Sequence, residues 1–229
     1  MTYTQFVLNF IKKQKIGNPI YIKDVSIAIS RSFNIDKKKS SSASSIAFNR
    51  IMNKKMIPDL RCYQKGIYYL TTITPFGELS INKNMLIEEK YIANDKGYKT
   101  GYRFLYDIGL TSQIPNEYLI ATNVAKECLR HDKLLDVSIC PPKTPIDKNN
   151  IRYLQILDAI NLINKAPIDA DNPLSIIANY IENNKLDFRK LLYYADKYYN
   201  KKLLIDVAHI ATFMEAYKKN AGKVRHESK

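Results

Sequence analysis

Ser40-Ser41-Ser42-Ala43-Ser44-Ser45-Ile46-Ala47-Phe48-Asn49-Arg50-Ile51-Met52 opens like a low-complexity linker, yet it runs without Gly or Pro into an apolar stretch. On a wheel of about 3.6 residues per turn, Ala43, Ala47, Phe48 and Ile51 share one face, and Lys38, Ser42, Ser45, Asn49 and Asn53 share the other. The spacing predicts a helix with small polar side chains outward, not a tether. Ser and Asn can donate to phosphate oxygens or read base edges, and short side chains let a helix lie deep in a DNA major groove.

The flanking segments give this helix its context. Tyr3, Phe6, Val7, Phe10 and Ile11 recur at helical spacing and predict a first helix over residues 3–13, closed by the Gly17-Asn18-Pro19 turn. A second helix is expected over residues 23–32, with Val25, Ala28 and Ile29 inward and residues 34–39 breaking it. Downstream, Met56-Ile57-Pro58-Asp59-Leu60-Arg61-Cys62-Tyr63 and Ile67-Tyr68-Tyr69-Leu70 are β-prone runs on either side of Gln64-Lys65-Gly66, which reads as a hairpin. Three helices and then a basic-tipped hairpin is the order of a winged helix-turn-helix, whose third helix enters the major groove while the wing touches the backbone. The expected DNA contacts are Lys38, Lys39, Ser42, Ser45, Asn49 and Asn53 on the helix, with Arg61 and Lys65 on the wing.

Charge supports the same division. Residues 1–74 carry 13 Lys/Arg against 3 Asp/Glu, while residues 75–229 carry 23 against 19. Lys outnumbers Arg 28 to 8, the signature of an AT-rich coding sequence, but codon bias acts on the whole chain and does not gather the excess at one end. A basic head beside a nearly balanced body is the footprint of a polyanion-binding module, and double-stranded DNA is the partner expected.

Other classes are bounded by composition. No apolar run approaches the roughly 18 residues of a membrane span, and the start, Met1-Thr2-Tyr3-Thr4-Gln5, lacks the basic-then-apolar pattern of a secretory leader, so a cytoplasmic protein without a membrane partner is expected. Cys62, Cys128 and Cys140 are widely spaced, as are His131, His209 and His226. They predict buried, reduced thiols and no metal site.

Beyond Thr74-Pro75-Phe76-Gly77 the charge balance changes, which places a domain boundary near residue 75. A short helix over residues 102–108 is capped by Gly109, Ile114-Pro115-Asn116 turns the chain, and strands are expected over residues 118–122 and 134–140. After Pro141-Pro142-Lys143-Thr144-Pro145 the chain reads as helices over residues 149–164, 173–184, 187–199 and 203–217, with residues 218–229 polar and frayed. The expected fold is α+β and predominantly helical: a winged helix-turn-helix at 1–74 and an α+β domain at 75–229 that ends in a helical bundle.

Three strings in this second part carry a resemblance: Gly97-Tyr98-Lys99-Thr100-Gly101; Gly109-Leu110-Thr111-Ser112-Gln113-Ile114-Pro115; and Leu154-Gln155-Ile156-Leu157-Asp158-Ala159. Together with Met56-Ile57 leading to Gly66-Ile67-Tyr68-Tyr69, they resemble the antitoxin-type transcriptional regulators of AbiE abortive-infection systems, a type IV toxin–antitoxin class. The likeness spans most of residues 1–165 and fades across the last helices. It implies an N-terminal winged helix that binds operator inverted repeats and represses its own operon, and a C-terminal domain that counters a co-encoded nucleotidyltransferase-like toxin in phage defence. It implies roles for Thr100, Gly101, Gly109, Leu110, Thr111, Gln113 and Pro115 in that second domain. Local structure offers its own account of the string: Gly109 as a helix cap, Thr111 and Gln113 as loop hydrogen-bonders, Pro115 as a turn former.

Enzymatic motifs are sparse. Pro58-Asp59 with Glu88-Glu89-Lys90 has the look of a metal-dependent nuclease, but at free spacing, and phosphate-binding Gly-rich loops, Gly-x-Ser-x-Gly and His-Glu-x-x-His are absent. Asp132, Asp136, Asp158, Asp169 and Asp171 read as solvated surface. A bacterial DNA-binding regulator without catalytic residues or cofactor is expected, with a nuclease carrying a basic DNA-binding head as the alternative.

Overall fold

The structure, a computed structural model, describes the backbone of residues 1–227 and side chains through residue 215. The fold is mixed α+β and mostly helical, and it divides into two compact units, Met1–Leu86 and Ile87–Lys229. The division lies beyond the change of charge near residue 75. Residues 75–86 go with the first unit, where Thr71 donates to the Leu79 carbonyl and Asn82 N–H reaches the Gly17 carbonyl.

Unit 1 runs α1 (Tyr3–Lys12), β1 (Ile20–Tyr21), α2 (Ile22–Phe33), α3 (Lys37–Asn53), β2 (Leu60–Gln64) and β3 (Ile67–Leu70), then a small hairpin of β4 (Ile73–Thr74) and β5 (Gly77–Glu78). The three helices pack around Val7, Ile11, Val25, Ile29, Phe48 and Ile51, all fully buried, and Phe48 stacks on Tyr68 of β3 at 4.5 Å. That stack fixes α3 to an antiparallel sheet of order β1-β3-β2. Two-residue β1 is too short to show in a period-2 pattern; it exists because β3 offers it a partner, Ile20 opposite Tyr68.

The α2–α3 connection is tighter than expected from residues 34–39. Asn34 takes the left-handed conformation that ends α2, and Asp36 begins α3 at once by accepting the Lys39 N–H at 2.8 Å. This N-cap bond holds the Asp36 carboxyl below its ordinary range. Lys38 and Lys39 therefore belong to the helix itself.

Helix α4 (Lys83–Ile87) ends unit 1 and runs across the boundary into a π-helical turn, Glu88–Ile92, after which unit 2 has β6 (Gly97–Thr100), α5 (Gly101–Asp107), β7 (Leu119–Thr122), β8 (Arg130–Asp132) and β9 (Val137–Cys140). Its sheet has the order β6-β7-β9-β8, with β7 and β9 parallel and both edge pairs antiparallel. Gly97 sits where β6 passes under neighbouring backbone, since a Cβ there would meet the carbonyls of Tyr91 and Ala121. Four helices follow: α6 (Ile151–Ile163), α7 (Pro173–Asn183), α8 (Phe188–Tyr198) and α9 (Lys201–Glu227). Helix α6 is the hub, with Leu154, Ile156 and Leu157 fully buried. Helix α9 continues past residue 217, where fraying was expected, and residues 228–229 of that expectation lie outside the described residues.

Three expectations are corrected. The thiols are not all buried: Cys62 and Cys128 are exposed, and only Cys140 is partly covered, where burial pushes its thiol up to about 11. Asp158 and Asp132 are not solvated surface but centres of hydrogen-bond networks. Ala43 is only partly buried, and the inward face of α3 carries Ser40 and Ser44 instead.

Candidate nucleic-acid interface

The outward face of α3 follows from how its inward face is satisfied. Ser40 and Ser44 are 1% and 0% exposed, yet neither hydroxyl is stranded. Ser40 meets the Ser26 hydroxyl of α2 at 3.1 Å and donates to the Lys37 carbonyl, and Ser44 donates to the Ser41 carbonyl at 2.9 Å. Small hydroxyls tied back to their own helix let α2 and α3 approach closely without an unsatisfied polar atom. The run of serines is therefore divided between packing and surface.

The surface half holds Lys38, Ser42, Asn49 and Asn53, all exposed, while Ser45 is half-buried and donates to the Ser41 carbonyl at 3.0 Å. The structure thus gathers the helix residues expected to meet DNA on one face, with Ser45 at its margin. No carboxylate stands on that face, because the one acid of the segment, Asp36, is the N-cap. Between Ser42 and Asn49 lies a residue the sequence reading left out: Ile46, 59% exposed. An apolar side chain on the polar face was the available signal.

Beside this face an open groove of about 620 Å³ separates α3 from the start of α1. Lys39 and Arg50 stand along it opposite Thr2 and Thr4, and Arg50 donates to the Thr4 hydroxyl at 3.3 Å. Lys39 also pairs with Asp36 at 3.7 Å, and Tyr3, Ile35, Ala43, Ile46 and Ala47 line the groove between these polar groups.

The two wing residues differ. Lys65 is exposed in the Gln64-Lys65-Gly66 turn, where Gly66 has φ +88°, a left-handed value that a side chain would strain. Arg61 instead turns along its own strand, donating to the Pro58 carbonyl at 2.7 Å and pairing with Glu78 of β5 at 2.7 Å. Its charge is met inside unit 1, which argues against the phosphate contact expected of it.

In unit 2 two of the three strings singled out in the sequence, residues 97–101 and 154–159, meet at one place, and the third, residues 109–115, is fastened separately at Asp169. The Asp158 carboxylate of α6 accepts from the Tyr98 hydroxyl at 2.8 Å, the Thr100 hydroxyl at 3.1 Å and the Tyr199 hydroxyl at 2.7 Å, and Gln155 donates to the Lys99 carbonyl at 2.9 Å. Desolvation outweighs these donors, so the Asp158 carboxyl is pushed up, and the Tyr98 and Tyr199 phenols are pushed well up by burial and by Asp158. Gly101 has φ +69° and Gly109 φ +82°, Leu110 is fully buried, Thr111 accepts the Gln113 N–H, and Ser112 donates to Asp169 at 2.6 Å. Only Gln113 and Ile114 of this loop present large side chains outward; Pro115 is half-buried.

Among the described residues no group of three or more His, Cys, Asp or Glu side chains could hold a metal ion, and no helix is long and apolar enough to cross a membrane. Asp59 and Glu88 of the nuclease-like pattern fall in different units. No protein-family model matches the chain, and no curated protein matches it either.

Proposed function

We propose that unit 1 is a winged helix-turn-helix that binds double-stranded DNA sequence-specifically, and that the chain is a transcriptional regulator. The observation that carries this reading is the outward face of α3: Lys38, Ser42, Asn49 and Asn53 in one exposed stripe without a carboxylate, on a helix fastened to the sheet by the Phe48–Tyr68 stack. The helix, helix, helix, hairpin order and the Lys65 turn support it. Inserted in a major groove, α3 places Asn49 where a bidentate bond to adenine forms, while Lys38 and Lys65 meet phosphates on either side.

The test is a gel shift of the full chain on duplex DNA across salt concentrations. Binding weakens linearly on a log–log plot by about 0.9 per neutralised phosphate, and replacing Lys38 and Lys65 together by Ala lowers that slope by about two. Absence of binding at low salt, or Mg²⁺-dependent cleavage of plasmid in place of binding, refutes the reading.

For unit 2 we propose the antitoxin role that the resemblance implies: repression of its own operon by unit 1, and countering of a nucleotidyltransferase-like toxin by unit 2. Support comes from the sequence strings and from the exposure of Gln113 and Ile114 on an otherwise anchored loop. Growth rescue on co-expression with the product of the adjacent gene tests it. Loss of rescue in Gln113→Ala at an unchanged melting temperature marks the loop as a contact, and rescue by unit 1 alone refutes the assignment.

A further inference from the structure

The structure leaves Ile46 without a role in the fold. Its side chain is 59% exposed, whereas its neighbours Ala47 and Phe48 are 1% and 0% exposed and already complete the core contact of α3. At about 100° per residue, Ser42, Ile46, Asn49 and Asn53 fall within about 60° of one another, with Ile46 at the edge of the stripe that borders the groove beside α1 and between Ser42 and Asn49 along the helix axis. A branched aliphatic group there is disfavoured in water and gains only when something apolar covers it.

In a major groove one base-edge feature is apolar, the 5-methyl of thymine. Asn49 lies three residues on, which puts its Cβ about 5–6 Å from that of Ile46, a separation that spans one base pair or two adjacent ones. The face has no Asp or Glu to accept from cytosine N4, the one arginine of α3, Arg50, turns toward Thr4 at the margin of the groove beside α1, and Lys38 stands about two turns before Ile46, away from the Ile46–Asn49 pair. Resting on the DNA-reading role proposed for α3, we propose that Ile46 is a specificity-determining residue that packs on a thymine methyl at or beside the adenine bonded by Asn49, so that α3 selects A·T base pairs.

The experiment uses the full chain and a pool of 20-base-pair random duplexes. A site enriched by the wild-type chain is resynthesised with uracil in place of thymine, which removes the methyl and keeps the pairing. The wild-type chain is expected to bind the uracil site about fourfold more weakly per contacted methyl, the factor for loss of one buried apolar carbon. Ile46→Ala is expected to bind the thymine site at the wild-type uracil level and to distinguish the two duplexes less than about twofold, and Ile46→Val to keep most of the distinction. Because Ile46 is exposed, both variants melt with the parent.

Equal thymine-to-uracil ratios in the wild type and Ile46→Ala overturn the inference, as does an enriched site that tolerates uracil throughout; in both cases sequence-specific DNA binding stands. Enrichment of no sequence removes the proposed function and the inference together.

Discussion

Residues 1–86 carry 14 Lys/Arg against 4 Asp/Glu, and residues 87–229 carry 22 against 18. The more telling difference is where the carboxylates point. In unit 2, Asp132 holds Lys90 and the Tyr91 hydroxyl at 2.7 Å each, Asp107 holds Arg103 at 3.2 Å and Lys99 at 3.8 Å, and Asp158 gathers three hydroxyls. In unit 1, Asp36 caps a helix and pairs with Lys39 at 3.7 Å, Glu78 holds Arg61, and the α3 stripe from Lys38 to Asn53 carries no acid. The exposed ion pairs add little stability in either unit. What they decide is the external field: a cation met by a nearby carboxylate contributes little to it, and an unmatched stripe attracts a polyanion.

The sharpest way to break this contrast is to cut it. A fragment of residues 1–86 is expected to keep operator affinity within about threefold of the full chain, and residues 87–229 to fall at least about 10³-fold below it, the usual gap between specific and non-specific binding. Gel shifts of both fragments decide it. Operator binding by residues 87–229 equal to that of the full chain ends the division of roles.

Next in size is the centre of unit 2. Asp158→Ala strands the hydroxyls of Tyr98, Thr100 and Tyr199, and at about 1–3 kcal/mol per unsatisfied buried group it is expected to destabilise unit 2 by about 4 kcal/mol in denaturant titration. DNA binding at temperatures where the variant remains folded is expected to be unchanged. Asp158→Asn keeps an acceptor for Tyr199 and gives donors to hydroxyls that can rotate to accept, so it stays folded.

The pH dependence of that centre has a definite sign. The Asp158 carboxyl is raised in the folded state, so its contribution is fully present below the unfolded value and is lost as pH rises through the folded one. The Asn variant therefore gains on the parent as pH climbs out of the ordinary carboxylate range. Asp132 is the opposite case: Lys90 and Tyr91 override its burial and hold it at about 2, so its contribution is present above the ordinary range and lost as pH falls toward about 2. A parent that gains on Asp158→Asn as pH rises contradicts the assignment.

How much of this was legible differs between the same two regions. Helix α3 was readable because Phe48, Ile51 and the Ser/Asn stripe obey one period, and the hairpin because Gly66 breaks two β-prone runs. Hidden were the elements that exist only through partners: β1, β6 and β8 are two to four residues long and are held by pairing across the sheet. The role of Asp158 was hidden because its hydroxyl donors lie 41 to 60 residues away in sequence, and a lone acid on an apolar helix shows no spacing signal. Ser40 and Ser44 escaped for a related reason: a hydroxyl bonded to its own helix packs like a small apolar residue, which composition does not reveal. Conversely, the strings that carry the family resemblance prove to be the places where β6, α6 and the Gly109 loop are fastened, which accounts for most of their residues without a partner.

Returning to the α3 face, Asn49→Ala is expected to cost about 1–3 kcal/mol of discrimination between operator and random duplex, the value of one bidentate adenine contact. Competition gel shifts on the two duplexes measure it. An equal loss on both means that the stripe touches backbone and not bases, and the contrast between the units would then be one of charge alone.

The smallest effect separates the two wing residues. Lys65 is exposed at the Gly66 turn, whereas Arg61 is bound to Glu78 and to the Pro58 carbonyl. Lys65→Ala is therefore expected to weaken binding to every sequence by a similar factor of a few and to lower the salt slope by about one unit. Arg61→Ala is expected to leave the slope unchanged while loosening the contact between β2 and β5. Since Glu78 then loses its partner, Arg61→Ala alone frees a carboxylate on β5 beside the wing, and only the double variant with Glu78→Gln isolates the arginine. If that double variant lowers the slope as Lys65→Ala does, the wing uses both cations, and the local pairing of Arg61 yields to DNA on binding.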